Sequence, residues 1–211
     1  MSTYYYKGSP ILAPLTIESN QPIFVSDTVS LKQIRTAMNA QRWEVSFDTA
    51  TNDNAVELLL ASCDGQANVA TMIMPQLKEV DDAYTADGDY VVNNGPLLFS
   101  DGITAAGSTT ITIHRLEGVG FVPKGSFIKF ANHTKIYLLK TAINLDTMLL
   151  TDTVDIEIYP SLRVAVPDSA QIKLGAEVLI SYFPSIDNAK GITYQDGILA
   201  SPGTTTIIEA L

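Results

Sequence analysis

Cysteine, histidine and clustered basic residues are all scarce in this chain, and each scarcity removes a class of function. The single cysteine, Cys63, excludes an intrachain disulfide. It sits in a helical apolar pattern, where a buried core thiol is expected rather than a nucleophile. The two histidines, His114 and His133, have no Cys, His or Glu neighbours at zinc-ligand spacing. Structural or surface roles are expected for both. Lys and Arg number 13 against 23 Asp and Glu, a net charge of −10. The basic residues are scattered, so general nucleic-acid binding, which needs clustered cations against phosphates, is not expected. The acidity fits plain solubility or a cationic partner.

Long apolar runs are missing too. None approaches the ~18 residues of a membrane helix. The opening MSTYYYK leads into no signal-peptide h-region, which predicts a soluble chain made in a cytoplasm. Asn132-His133-Thr134 has the form of a glycosylation acceptor, without meaning in that compartment. Catalytic motifs are equally absent. There is no G-x-S-x-G, and neither histidine has a recognisable nucleophile partner. Gly118-Val119-Gly120 falls short of a dinucleotide fingerprint, because Pro123 takes the third glycine position and no helix follows. Lys124-Gly125 lacks a phosphate-loop context. The acidic cluster Asp81, Asp82, Asp87 and Asp89 is the one candidate cation site, but its spacing is not that of a calcium loop. It reads as a solvated loop. No catalytic residue, cofactor-binding residue or metal ligand is assigned, no cofactor is expected, and the chain does not read as an enzyme.

Charge is thin overall. Charged residues make up 17% of the chain, below the usual quarter or so. Either Ser, Thr, Asn and Gln fill the surface, or part of it is buried against other subunits. Hydrophobic residues at 46% suffice for a core without metals or disulfides. The 211 residues fit one large domain or two small ones.

The patterning is that of a mainly β protein. Residues 1–21 read as an N-terminal arm, because Gly8, Pro10, Pro14 and Pro22 oppose regular structure. Its Tyr4, Tyr5, Tyr6, Ile11, Leu12 and Leu15 are apolar enough that packing on its own domain is favoured over reaching a neighbour. Residues 22–36 read as extended. Gln41 to Phe47 is the clearest strand, with Trp43, Val45 and Phe47 on one face and Arg42, Glu44 and Ser46 on the other. The period then switches. Thr51 or Asn52 caps a helix with Val56, Leu59, Leu60 and Cys63 as its apolar stripe, ending at Asp64-Gly65. This is the one convincing helix. Its stripe is expected to cover the sheet face carrying Trp43, Val45 and Phe47.

Ala67 to Met74 returns as a strand, with Met72 and Met74 on one face and Val69, Thr71 and Ile73 on the other. Lys78 to Gly107 is turn-rich and acidic, and reads as a boundary. Short strands then recur at 109–114, 126–130, 135–140, 147–151 and 154–159, separated by turn signals. That spacing predicts a small barrel or sandwich of the OB or SH3-like kind. Leu162 to Val166 and Gln171 to Phe183 extend it. The tail from Gly191 has two extended halves around Ser201-Pro202-Gly203.

Gln41-Arg42-Trp43-Glu44-Val45, the helix after it and Met72-Ile73-Met74-Pro75-Gln76 together resemble the distal tail proteins of long-tailed bacteriophages and related baseplate proteins. Lys135-Ile136-Tyr137, Ile158-Tyr159-Pro160-Ser161-Leu162 and the closing Glu209-Ala210 are similar to later parts of that family. The resemblance implies a homohexameric ring at the tip of the tail tube. A β-sandwich or barrel-like ring domain with one short helix would carry an inserted OB- or SH3-like barrel. Mapped on this chain, 22–90 with 184–211 would form the ring domain and 91–183 the inserted barrel. The implied partners are other copies of the chain, the tail tube, the hub and other baseplate proteins, with no membrane. DNA would pass through without specific binding. The implied location is the virion tail, after synthesis in the host cytoplasm. A second expectation comes from the aromatics Trp43, Phe47, Tyr84, Tyr90, Phe99, Phe121, Phe127, Phe130 and Tyr137. Exposed on a barrel, they would suit a carbohydrate-binding module or a receptor-binding tail appendage.

Overall fold

The computed structural model describes residues 5–6, 9–27, 33–37, 40–49, 68–76, 97–117, 120–150, 152–185, 193–195, 199–201 and 204–211. The expected helix at 51–65, Cys63 and the acidic residues 81–89 lie outside these. The strands in chain order are β1 (Tyr5–Tyr6), β2 (Ser9–Asn20), β3 (Ile23–Asp27), β4 (Gln33–Ala37), β5 (Arg42–Thr49), β6 (Ala70–Ile73), β7 (Leu97–Ser100), β8 (Thr110–Glu117) and β9 (Phe121–Val122). They continue with β10 (Phe127–Phe130), β11 (Ile136–Leu139), β12 (Ile143–Asn144), β13 (Thr153–Tyr159), β14 (Gln171–Lys173), β15 (Leu179–Pro184), β16 (Thr193–Gln195), β17 (Leu199–Ser201) and β18 (Thr204–Glu209). The described part is thus nearly all β, with one 3-10 turn at Gly175–Glu177. No helix among the described residues is long and apolar enough to cross a membrane.

The chain divides into two compact units. One comprises Met1–Tyr5 and Thr71–Ser181, the other Tyr6–Ala70 and Tyr182–Leu211. The first holds a closed barrel in the order β10-β11-β13-β8-β7-β14. Every neighbouring pair is antiparallel. Closure removes the free edges that an open sheet of this size would expose. Inside lie Leu98, Ile111, Ile113, Ile128, Phe130, Tyr137, Leu139, Ile156, Ile158 and Ile172, all buried in one apolar cluster.

Strand β10 shows why the register is unique. Its sequence, FIKF, could turn either face inward. Placing Ile128 and Phe130 inside leaves Lys129 outside, where Nζ donates to Leu179 O at 2.9 Å. The opposite register would bury an ammonium in the barrel. That desolvation costs several kcal/mol, more than the roughly 1.5–3 kcal/mol from burying one apolar side chain.

Three expectations about this unit are corrected. Leu97–Ser100, inside the turn-rich stretch read as a boundary, is the barrel strand β7, with Leu98 fully buried. Residues 147–150 form a turn where a strand over 147–151 was expected. Leu149 N–H donates to Asp152 Oδ2 at 2.8 Å and Asp152 N–H to Leu149 O at 3.1 Å. The carboxylate thus competes with a ladder partner for the backbone. Residues 162–166 form no strand either. Leu162 N–H donates to Ser108 O, Gly107 N–H to Leu162 O, and Val166 makes one bridge with Thr104. This segment finds its backbone partners in the 104–108 loop.

In the second unit the sheet runs β2-β5-β18-β15. Strand β5 alternates as expected, with Trp43, Val45 and Phe47 buried. β18 pairs it from Thr204↔Asp48 to Ile208↔Glu44. Tyr6 meets Phe47 edge-on at 5.2 Å and packs against Tyr182 at 6.0 Å, closing the aromatic core. The proline-rich stretch expected to lack regular structure is in fact strand β2, paired with β5 from Ile11↔Thr49 to Asn20↔Arg42. The register shifts between Leu12 and Thr16. Pro14 falls inside that irregularity, where no ladder N–H is required. β3 pairs β4, and β16 pairs β17.

Candidate functional site

The two histidines are placed by different means. His114, on β8, lies opposite Phe99 and stacks on it with ring centroids 5.9 Å apart. Its Nδ1 is 4.0 Å from Asp101 Oδ1. His133 follows β10 in a tight turn and has both ring nitrogens engaged. Nδ1 is 2.9 Å from Asn132 Oδ1 and Nε2 is 2.8 Å from Tyr137 Oη. Phe130 stacks on its ring at 5.8 Å. Burial, then Lys129 and Lys135, lowers the His133 pKa from 6.5 to about 4. Neither histidine bonds a serine, threonine or cysteine among the described residues. Among the described residues no group of three or more His, Cys, Asp and Glu could hold a metal ion.

The two ends of the barrel differ. At the end where β7 leaves and β13 finishes, polar groups close the structure. Ser100 Oγ donates to Pro167 O at 2.7 Å and accepts Ala170 N–H at 2.9 Å. Asp168 Oδ1 accepts Gly102 N–H at 2.8 Å. Tyr137 Oη accepts Arg163 N–H at 3.1 Å, and Asn132 Nδ2 donates to Ala165 O at 3.0 Å.

The other end is apolar, and Val122, Ile143, Leu145 and Met148 from the segments at that end are buried in the barrel core. The last rung between β8 and β13 is His114↔Thr153. Leu116 stands two residues beyond it on β8, at the end where Leu149 and Leu150 lead into β13. They are 58%, 66% and 60% exposed. The β9–β12 ribbon, paired through Phe121↔Asn144, is tied to this end by Arg115 Nη1 donating to Leu145 O at 2.8 Å. Gly120 opens the ribbon at φ +122°, a conformation that suits glycine, and its N–H donates to Asp146 Oδ1 at 2.9 Å. Phe121, next in sequence, is half exposed. Four large apolar side chains thus share one end of the barrel, with the carboxylate of Glu117 at the end of β8 and those of Asp146 and Asp152 on its loops.

Segments that carry the family resemblance act as local scaffold. The Gln76 side-chain amide meets the backbone of Phe127 on both sides: Oε1 accepts its N–H at 3.1 Å and Nε2 donates to its carbonyl at 3.4 Å. In the second unit, Trp43 N–H donates to Glu209 Oε2 at 3.1 Å, and Glu209 is fully buried. That carboxylate continues the β5–β18 ladder one step past its last rung. Sequence reading missed this bond, because a glutamate near a chain end carries no signal of burial. It also missed the Tyr6–Tyr182 hydrogen bond. Burial raises the pKa of both phenols, and the neighbouring Tyr6 raises that of Tyr182 further.

Compared with known proteins, the chain matches no family model and no curated protein.

Proposed function

We propose that the chain is a structural component of a bacteriophage tail tip or baseplate. In this reading it forms a ring, a hexamer by family resemblance, around the tail tube channel and links tube to hub or fibres. The observation that supports it best is the exposed apolar side chains at one end of the barrel. Leu116, Phe121, Leu149 and Leu150 are at least half exposed there, on a chain with few charged residues. Clustered apolar exposure of this kind marks surfaces that other proteins cover. The two β units add support. A barrel with its own core, carried between Thr71 and Ser181, lets one unit associate while the other keeps its fold. His133 has both ring nitrogens in structural hydrogen bonds, which fits a structural role for it.

The carbohydrate-binding reading draws less support. Of its candidate platforms, Trp43, Phe47, Phe127, Phe130 and Tyr137 are buried, and Phe99 is partly buried against His114. Phe121 is the exposed one among the described candidates. Sedimentation and negative-stain imaging, with and without tail tube protein, test the proposal. Rings, alone or on the tube, are the expected result. A strict monomer that joins no ring even with tube present would refute it.

A further inference from the structure

We propose that His133 is an acid-released latch: its neutral ring holds residues 163–165 across one end of the barrel, and protonation loosens that segment. The donors and acceptors determine the tautomer. Asn132 Nδ2 donates to Ala165 O, so Asn132 turns Oδ1 toward His133 Nδ1. An acceptor there requires Nδ1 to carry the hydrogen, which leaves Nε2 bare in the neutral ring. Nε2 then accepts the Tyr137 hydroxyl hydrogen, while the same hydroxyl oxygen accepts Arg163 N–H. His133 therefore grips the segment twice, through Asn132 to Ala165 and through Tyr137 to Arg163.

A proton on Nε2 reverses the bond to Tyr137 and brings a positive charge into this corner. The titratable and charged groups on the surrounding elements are Lys129 on β10, Lys135 before β11, Tyr137 on β11 and Arg163 on the segment itself. The Phe130 face favours a cation weakly. Burial and the two lysines oppose it more strongly, and hold the pKa down at about 4. The sign follows. The folded pKa lies below the unfolded value of 6.5, so the unfolded or released state binds more protons between them. The latch is at full strength above pH 6.5 and weakens as pH falls toward 4. Leu162 and Val166 flank the segment it holds and keep their own backbone bonds to Ser108, Gly107 and Thr104, so release loosens residues 163–165 between those anchors.

Amide hydrogen exchange on the full chain tests this, with each rate divided by its intrinsic value at that pH. Protection of the Arg163 amide is expected to fall at least ten-fold between pH 6.5 and 4. Ile158, whose N–H donates to Thr109 O on the barrel wall, should stay protected. In His133→Gln, neutral at every pH, Arg163 protection should change less than two-fold. Unchanged protection in the wild type, or an equal fall in the variant, overturns the proposal. Should the variant not fold, the wild-type His133 imidazole and Arg163 amide signals are titrated together. One shared midpoint supports the latch and separate midpoints overturn it.

Discussion

Two buried serines make a paired test of how the barrel is held. Ser100 and Ser126 are both fully buried, and each donates its hydroxyl hydrogen to a proline carbonyl, at 2.7 Å to Pro167 and 2.6 Å to Pro123. They differ in what alanine would leave behind. Pro123 O keeps a second donor, Ser126 N–H at 3.3 Å, so Ser126→Ala loses one bond with that acceptor still served. Ser100 Oγ also accepts Ala170 N–H at 2.9 Å, the amide that leads into β14. Ala170 is itself buried, so Ser100→Ala strands a donor away from water. A buried unsatisfied group costs about 1–3 kcal/mol, on top of about 1 kcal/mol for an ordinary bond. Ser100→Ala should therefore destabilise by about 2–4 kcal/mol, and Ser126→Ala by about 0.5–1 kcal/mol. Urea unfolding followed by near-ultraviolet circular dichroism measures both. The midpoint should drop more for Ser100→Ala, with the slope unchanged for each. A Ser126→Ala loss equal to or above that of Ser100→Ala would falsify the reasoning.

Trp43→Ala, at a side chain 5% exposed, should cost about 3–5 kcal/mol in the same assay. Little loss of stability together with lost assembly would instead place Trp43 at a subunit contact. Glu209→Ala removes a charge-assisted acceptor from Trp43 N–H and should cost about 2–3 kcal/mol, whereas Glu209→Gln keeps an oxygen there and should cost less than half as much. Leu149→Asp with Leu150→Asp should leave the thermal midpoint within a few degrees, since both side chains are exposed, yet reduce ring formation in sedimentation. Tyr6 and Tyr182 should stay un-ionised in an ultraviolet titration at pH values above the ordinary phenol pKa of about 10. Their folded pKa values are raised, so the stability they contribute is complete below about pH 10 and lost as pH rises through those values.

Much of the β architecture was legible along the chain. Alternation at Trp43, Val45 and Phe47 announced a half-buried strand, and Met72 and Met74 are buried while Val69 and Ile73 are exposed, as their spacing implied. Four of the five short strands expected between 109 and 159 are in the barrel. What misled the reading was local composition. Leu97–Ser100 sits behind a glycine- and acid-rich stretch, so its four residues looked like part of a loop. The prolines of residues 9–20 argued against a strand, but a register shift absorbs Pro14. Asp152 falls between Thr151 and Thr153, in the gap between two expected strands, yet its carboxylate caps the turn that replaces the first of them.

By itself the sequence determined that this protein is β-rich, that its single cysteine leaves no intrachain disulfide, and which faces of its clearest strands are apolar. Those are consequences of side-chain period and composition, properties a chain carries before it folds. Only the tertiary structure decided the partners. Ser46 meets Thr206 at 2.9 Å across 160 residues, Trp43 meets Glu209 across 166, and Ser100 meets Ala170 across 70. A two-residue period states that a strand has an inside but not which strand lies beside it. That choice is made by registers that bury every apolar face at once and leave Lys129 outside. The same long-range closure turned a tight-turn histidine into a half-buried, doubly bonded group, and it left Leu116, Phe121, Leu149 and Leu150 exposed at one end of the barrel.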